Sequence, residues 1–78
     1  IYPNPSTGEF NISFEIKQAE DLKLEIVNIL GETVLEEKIN DFDGKYLKSF
    51  DLSTQSNGIY FLKIYSSKGI ISNKLTLQ

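Results

Sequence analysis

A chain of 78 residues with no cysteine and no histidine has room for one small core, and it can hold no disulfide staple, no structural zinc site of the usual kind and no His- or Cys-ligated haem. Its 40% hydrophobic and 24% charged residues are ordinary for a globular chain and too apolar for a disordered one. A net charge of −3 in which every basic residue is a lysine runs against a nucleic-acid binder, which calls for a basic stripe and arginines on phosphate or base edges.

Taken in order, the chain opens abruptly at Ile1-Tyr2, a short edge strand of the kind expected in a piece of a longer protein. Pro3-Asn4-Pro5-Ser6-Thr7-Gly8 follows as a rigid loop, φ being fixed at two prolines and freed at the glycine. Phe10, Ile12, Phe14 and Ile16 then alternate with polar residues, the period of a strand buried on one face. Lys17 to Leu22 could at most make a helical turn. Leu22, Leu24 and Ile26 alternate again, and Asn28-Ile29-Leu30-Gly31-Glu32 reads as a tight hairpin connection with Gly31 left-handed. Thr33 to Ile39 is extended, with Leu35 and Ile39 inward, and Asp43-Gly44 is a turn dipeptide. Tyr46 to Leu52 is also extended, its inward face left open by the pattern.

Asn57-Gly58 turns the chain into Ile59–Tyr65, where Tyr60, Leu62 and Ile64 face inward. Ser67-Lys68-Gly69 closes the last hairpin, and Ile71, Leu75 and Leu77 line the inner face of the final strand with Asn73 between them. Short strands spaced about 8–12 residues apart with turn chemistry between them predict an all-β fold, a small antiparallel Ig-like or fibronectin-like β-sandwich of about seven strands. Residues 1–78 form a single domain without internal repeats.

Little of this can do chemistry. Without His or Cys, neither a Ser-His-Asp nor a Cys-His arrangement exists. Adjacent carboxylates such as Glu36-Glu37 point to opposite faces of a strand and cannot share a substrate. The chain is therefore expected to be no enzyme, with no catalytic residue, metal or cofactor. The oxygen-rich Asn40-Asp41-Phe42-Asp43-Gly44 has a fragment of a calcium loop, but lacks the distant bidentate glutamate and reads first as an Asx-type turn. Tyr46, Phe61 and Tyr65, if outward, would suit a carbohydrate platform on a non-catalytic fibronectin-like binding or spacer module. Apolar runs such as Ile59–Leu62 fall far short of the ~20 residues of a membrane-spanning helix.

Four segments carry a family resemblance along essentially the whole chain. They are Tyr2-Pro3-Asn4-Pro5-Ser6-Thr7-Gly8 followed by Phe10; Leu24 to Val34 with its central Gly31; Leu52-Ser53 with Asn57-Gly58-Ile59-Tyr60; and Lys74-Leu75-Thr76-Leu77. In this order and spacing the chain resembles the C-terminal sorting domain, type A, of proteins exported by the type IX (Por) secretion system. Each segment also has a structural meaning. Pro3 and Pro5 stiffen a loop, Gly31 and Gly58 take backbone geometry that a β-carbon would obstruct, and Tyr60 resembles a tyrosine corner. Lys74 on a terminal strand keeps an edge soluble, or takes part in recognition.

The resemblance implies a secretion signal attached behind a larger passenger. The folded domain would be recognised in the periplasm by the outer-membrane type IX translocon and carried to the cell surface or the extracellular space. A surface sortase-like peptidase would then remove it. Pro3, Asn4, Pro5, Gly8, Gly31, Gly58, Tyr60, Lys74 and Leu75 are the motif residues this implies, with no membrane insertion and no nucleic acid involved. Truncation after Asn73 is expected to abolish export while leaving much of the core formed.

Overall fold

The strands continue through the very segments whose polar residues suggest breaks, and this sets the architecture. In a computed structural model that describes residues 7–78, the chain is all-β: β1 (Glu9–Asn28), β2 (Thr33–Asp51), β3 (Gly58–Ser66) and β4 (Gly69–Leu77). All pairings are antiparallel, in one sheet of order β2-β1-β3-β4. The expected strand at Ile1-Tyr2 and the loop residues Pro3, Asn4 and Pro5 lie outside the described residues.

The expected count of about seven strands is corrected by fusion. The runs Phe10–Ile16 and Leu22–Ile26 both belong to β1, and Thr33–Ile39 and Tyr46–Asp51 both belong to β2, Leu52 lying just beyond it. Lys17 to Asp21 is no helical turn; the strand continues there through register shifts between Ile16 and Glu20 and between Glu20 and Leu22. Opposite them, Asp41 (φ 51°) and Gly44 (φ 92°) let β2 bend in step. The Asp21 carboxylate accepts the Asp41 N–H at 2.8 Å and ties the two irregular segments together. Bulges of this kind add twist and turn a strand's direction without ending it.

That bend creates the core. The first half of β1, Glu9–Ile16, pairs with Asp51–Gly44 of β2, whereas Lys23–Val27 pairs with β2 on one side and Lys23–Asn28 with Tyr65–Tyr60 of β3 on the other. Phe10, Ile12, Phe50 and Leu52 nevertheless join Leu24, Ile26, Leu62, Leu75 and Leu77 in one apolar cluster. Residues so separated along the sheet meet because the sheet bends over its own inner face. Phe10, Ile12, Leu24, Ile26, Leu62 and Leu75 are its largest fully buried side chains, and burying a large aliphatic or aromatic side chain is worth about 1.5–3 kcal/mol.

The inward faces of β3 and of the second half of β1 are as the alternation predicts, and Leu35, Ile39 and Ile64 pack partly buried against the cluster. Two assignments change. Ile71 is 61% exposed, because the start of β4 runs past the end of the core while Leu75 and Leu77 remain inside it. Tyr46 is buried, on the same face as Phe50, with its ring stacked on Phe14 at 4.7 Å.

Candidate functional site

The opening motif enters the described structure at Thr7-Gly8, and Gly8 is buried. Its carbonyl accepts the Leu52 N–H at 2.7 Å, so the lead-in to β1 is fastened to the segment after β2. A β-carbon at Gly8 would meet the Ser53 Cβ at 2.9 Å, and its φ is +152°. The close approach that glycine permits is therefore here. At Gly31 (φ +85°) and Gly58 (φ +148°) a β-carbon would meet nothing within 4 Å, so backbone conformation, and no steric obstruction, selects glycine at both.

The second motif is the β1–β2 turn, and Asn28 organises it. Its side-chain oxygen accepts the N–H groups of Leu30 (3.0 Å) and Glu32 (2.9 Å), while its amide donates to the Glu32 carboxylate at 3.0 Å. Its backbone carbonyl accepts the Gly31 N–H at 3.0 Å. Ile29 and Leu30 stand at the tip of this tied loop, 74% and 81% exposed. An asparagine three residues before a glycine is the signal that could have disclosed the network.

The third motif begins at an Asx turn. The Ser53 N–H donates to Asp51 Oδ1 at 2.8 Å, and this bond holds the Asp51 carboxyl below the usual carboxylate range. The Gln55 N–H closes a turn on the Leu52 carbonyl at 2.9 Å. The Tyr60 hydroxyl donates to the Ser56 carbonyl four residues upstream, which is the tyrosine-corner geometry the sequence suggested. In the fourth motif Leu75 is fully buried opposite Tyr60, and Lys74 lies opposite Phe61.

These pieces share one end of the sheet. The segment from Leu52 to Phe61 touches each of the other motifs: Gly8 through the Leu52 N–H, Asn28 through the Asn28–Tyr60 pairing, and Leu75 and Lys74 across the β3–β4 ladder. Val27, buried on the outer face beside its partner Phe61, was not marked by the sequence pattern.

A family model, Secretion system C-terminal sorting domain, matches residues 1–78. The chain belongs to that family. No curated protein matches it. The sorting domain is a signal for type IX secretion, which places the protein that carries it on a route to the cell surface or the extracellular space. The domain thus interacts with the secretion system while attached to a passenger. The family is not known as a catalytic one.

Of the three aromatic residues expected on an outward platform, Phe61 and Tyr65 are half-buried. Tyr46 is internal. The Tyr65 ring lies under the Lys23 ammonium, 5.1 Å from its centroid, and its hydroxyl donates to Glu25 Oε1 at 2.8 Å. Glu25 also accepts the Thr33 hydroxyl at 2.7 Å; this bond first, and the Tyr65 bond second, hold its carboxyl low, while the Tyr65 phenol is pushed up. Among the described residues no group of three or more acidic side chains is placed to hold a metal ion, and the backbone of Asp41 is taken by Asp21.

Proposed function

We propose that the end of the sheet where the motifs meet is the surface that the outer-membrane type IX translocon reads, with the folded domain arriving in the periplasm as the terminal segment of a longer secreted protein. A sortase-like peptidase at the cell surface then removes the domain, and the passenger is joined to an anionic lipopolysaccharide. The observation that carries this reading is the convergence of Gly8, Asn28, Tyr60 and Lys74–Leu75 on one segment, Leu52–Phe61. Residues far apart in sequence are thereby held in one rigid arrangement, which a receptor can recognise without paying to order it.

The bent sheet is read here as the two layers of an Ig-like or fibronectin-like sandwich, a reading supported by the cluster that joins Phe10 and Phe50 to Leu62 and Leu75. Pro3, Asn4 and Pro5 belong to the same recognition motif on the strength of the family pattern. A fusion of residues 1–78 behind a periplasmic reporter, expressed in a host with the system, tests the reading. The expected result is reporter at the surface or in the medium; a reporter retained in the periplasm overturns it.

A further inference from the structure

A loop that merely reverses a chain is usually polar, because its side chains face water. The β1–β2 turn departs from this. Its two outermost residues are Ile29 and Leu30, the two most exposed large hydrophobic residues among those described. Their backbone is fixed by Asn28, whose side chain makes three hydrogen bonds, to Leu30 and Glu32. Next to them a shallow cleft of about 210 Å³ runs between the turn and Gln55–Tyr60, with Ile59 (39% exposed) on its wall. An apolar pair presented on a backbone already ordered is what an anchoring contact needs, since little conformational freedom remains to be lost on binding.

Charge decides what the pair meets. Around the tip, residues 28–33, the one charged residue is Glu32, and the cleft segment 55–60 contains no charge at all; farther along the hairpin Glu36 and Glu37 are paired with Lys23 and Lys48. An apolar tip whose charged neighbour is a glutamate lacks the lysine and arginine that apolar insertion loops carry to an anionic membrane surface. It complements a protein pocket with an apolar floor and a cationic or N–H-rich rim facing Glu32.

We propose that Ile29 and Leu30 form a docking knob that inserts into such a pocket on the protein that receives the sorting domain. This rests on the sorting reading above and names the contact through which it works. The knob lies in the segment Leu24–Val34, so that motif presents a binding element as well as making a turn.

The test is the reporter fusion of residues 1–78 in three forms: native, Ile29→Ser with Leu30→Ser, and Leu47→Ser. Leu47 is 73% exposed on β2, away from the knob, and controls for the loss of an exposed apolar side chain. Melting temperatures of all three should agree within a few degrees, the substituted groups being in water already. The double variant is expected to lose export by roughly tenfold or more, with Leu47→Ser exported like the native form. Export of the double variant at the native level overturns the knob and leaves the sorting reading standing. A native fusion that is not exported removes both. Sedimentation with phosphatidylethanolamine–phosphatidylglycerol vesicles is expected to leave the native chain in the supernatant; co-sedimentation abolished by the double substitution would replace the protein pocket by a membrane.

Discussion

Gly8 shows how much one residue can hold in place here. Its carbonyl bonds Leu52 and its missing side chain makes room for Ser53. Gly8→Ala would add a β-carbon in a backbone region that L-residues avoid and push it onto Ser53, at a combined cost of about 2–3 kcal/mol. The same change at Gly58 meets no neighbour and carries the conformational penalty alone. Urea denaturation of the two variants should therefore give the lower midpoint for Gly8→Ala. Tyr46 makes a second prediction at this scale. Burial, and then the nearby Glu37 carboxylate, push its phenol up to about 12 from about 10 in an unfolded chain. A raised pKa means that folding favours the neutral phenol, so its stabilising effect is complete below pH 10 and is lost as pH rises through the folded value. Tyr46→Phe, which keeps the ring on Phe14, should flatten the fall of melting temperature between about pH 10 and pH 12.

At the scale of elements, the tied turn between β1 and β2 opens the longest ladder among the described residues, which runs from Val27↔Thr33 to Glu9↔Asp51 through three register shifts. Asn28→Ala removes the acceptor of the Leu30 and Glu32 N–H groups. Those groups are exposed and water can take them, so the cost should be modest, about 1 kcal/mol, measurable as a shift in denaturation midpoint. The turn itself was legible in the sequence, because Gly31 sits between two alternating runs. The fusion of those runs into two long strands was not. Lys17-Gln18-Ala19-Glu20-Asp21 and Asp41-Phe42-Asp43-Gly44 have the polar, glycine-bearing composition of loops, and a bulge uses the same residues as a turn for the same conformational reasons. Ile71 misled for another reason. Alternation tells which face a side chain takes but not where the core under that face ends. Tyr46 could have been placed by parity with Phe50 and Leu52, but Leu47, apolar and 73% exposed, obscured the pattern. In the candidate site, the glycines and Tyr60 were readable as backbone devices, whereas the meeting of the motifs on Leu52–Phe61 depends on pairings between distant strands.

For the whole molecule, the role of the last strand changes. Leu75 and Leu77 lie in the core, 0% and 3% exposed. Cutting after Asn73 would therefore remove two core side chains together with the proposed recognition strand, and the expectation that the core survives truncation is withdrawn. Leu75→Ala alone should cost about 2–5 kcal/mol, against a total of roughly 4–8 kcal/mol for a domain of this size. The truncated chain should lose cooperative thermal unfolding altogether, which calorimetry would register as the disappearance of the transition. Export lost by such a truncation would report on folding as much as on recognition, so exposed substitutions such as those at Ile29 and Leu30 separate the two.

The order of strands in the sheet also imposes an order in time. β1 and β2 are neighbours in sequence and pair across a pre-formed turn, and β3 and β4 likewise pair across the short Ser67-Lys68 connection. The two hairpins join where Lys23–Asn28 meets Tyr60–Tyr65, with Ser67 also donating to the Glu20 carboxylate. Local hairpins close within microseconds, while a junction between distant segments waits on their encounter. Leu52–Phe61 is both the covalent link across that junction and the segment on which the motifs converge. A chain whose hairpins have formed but not yet joined thus presents no assembled recognition surface, and the address becomes readable in the same step that completes the fold.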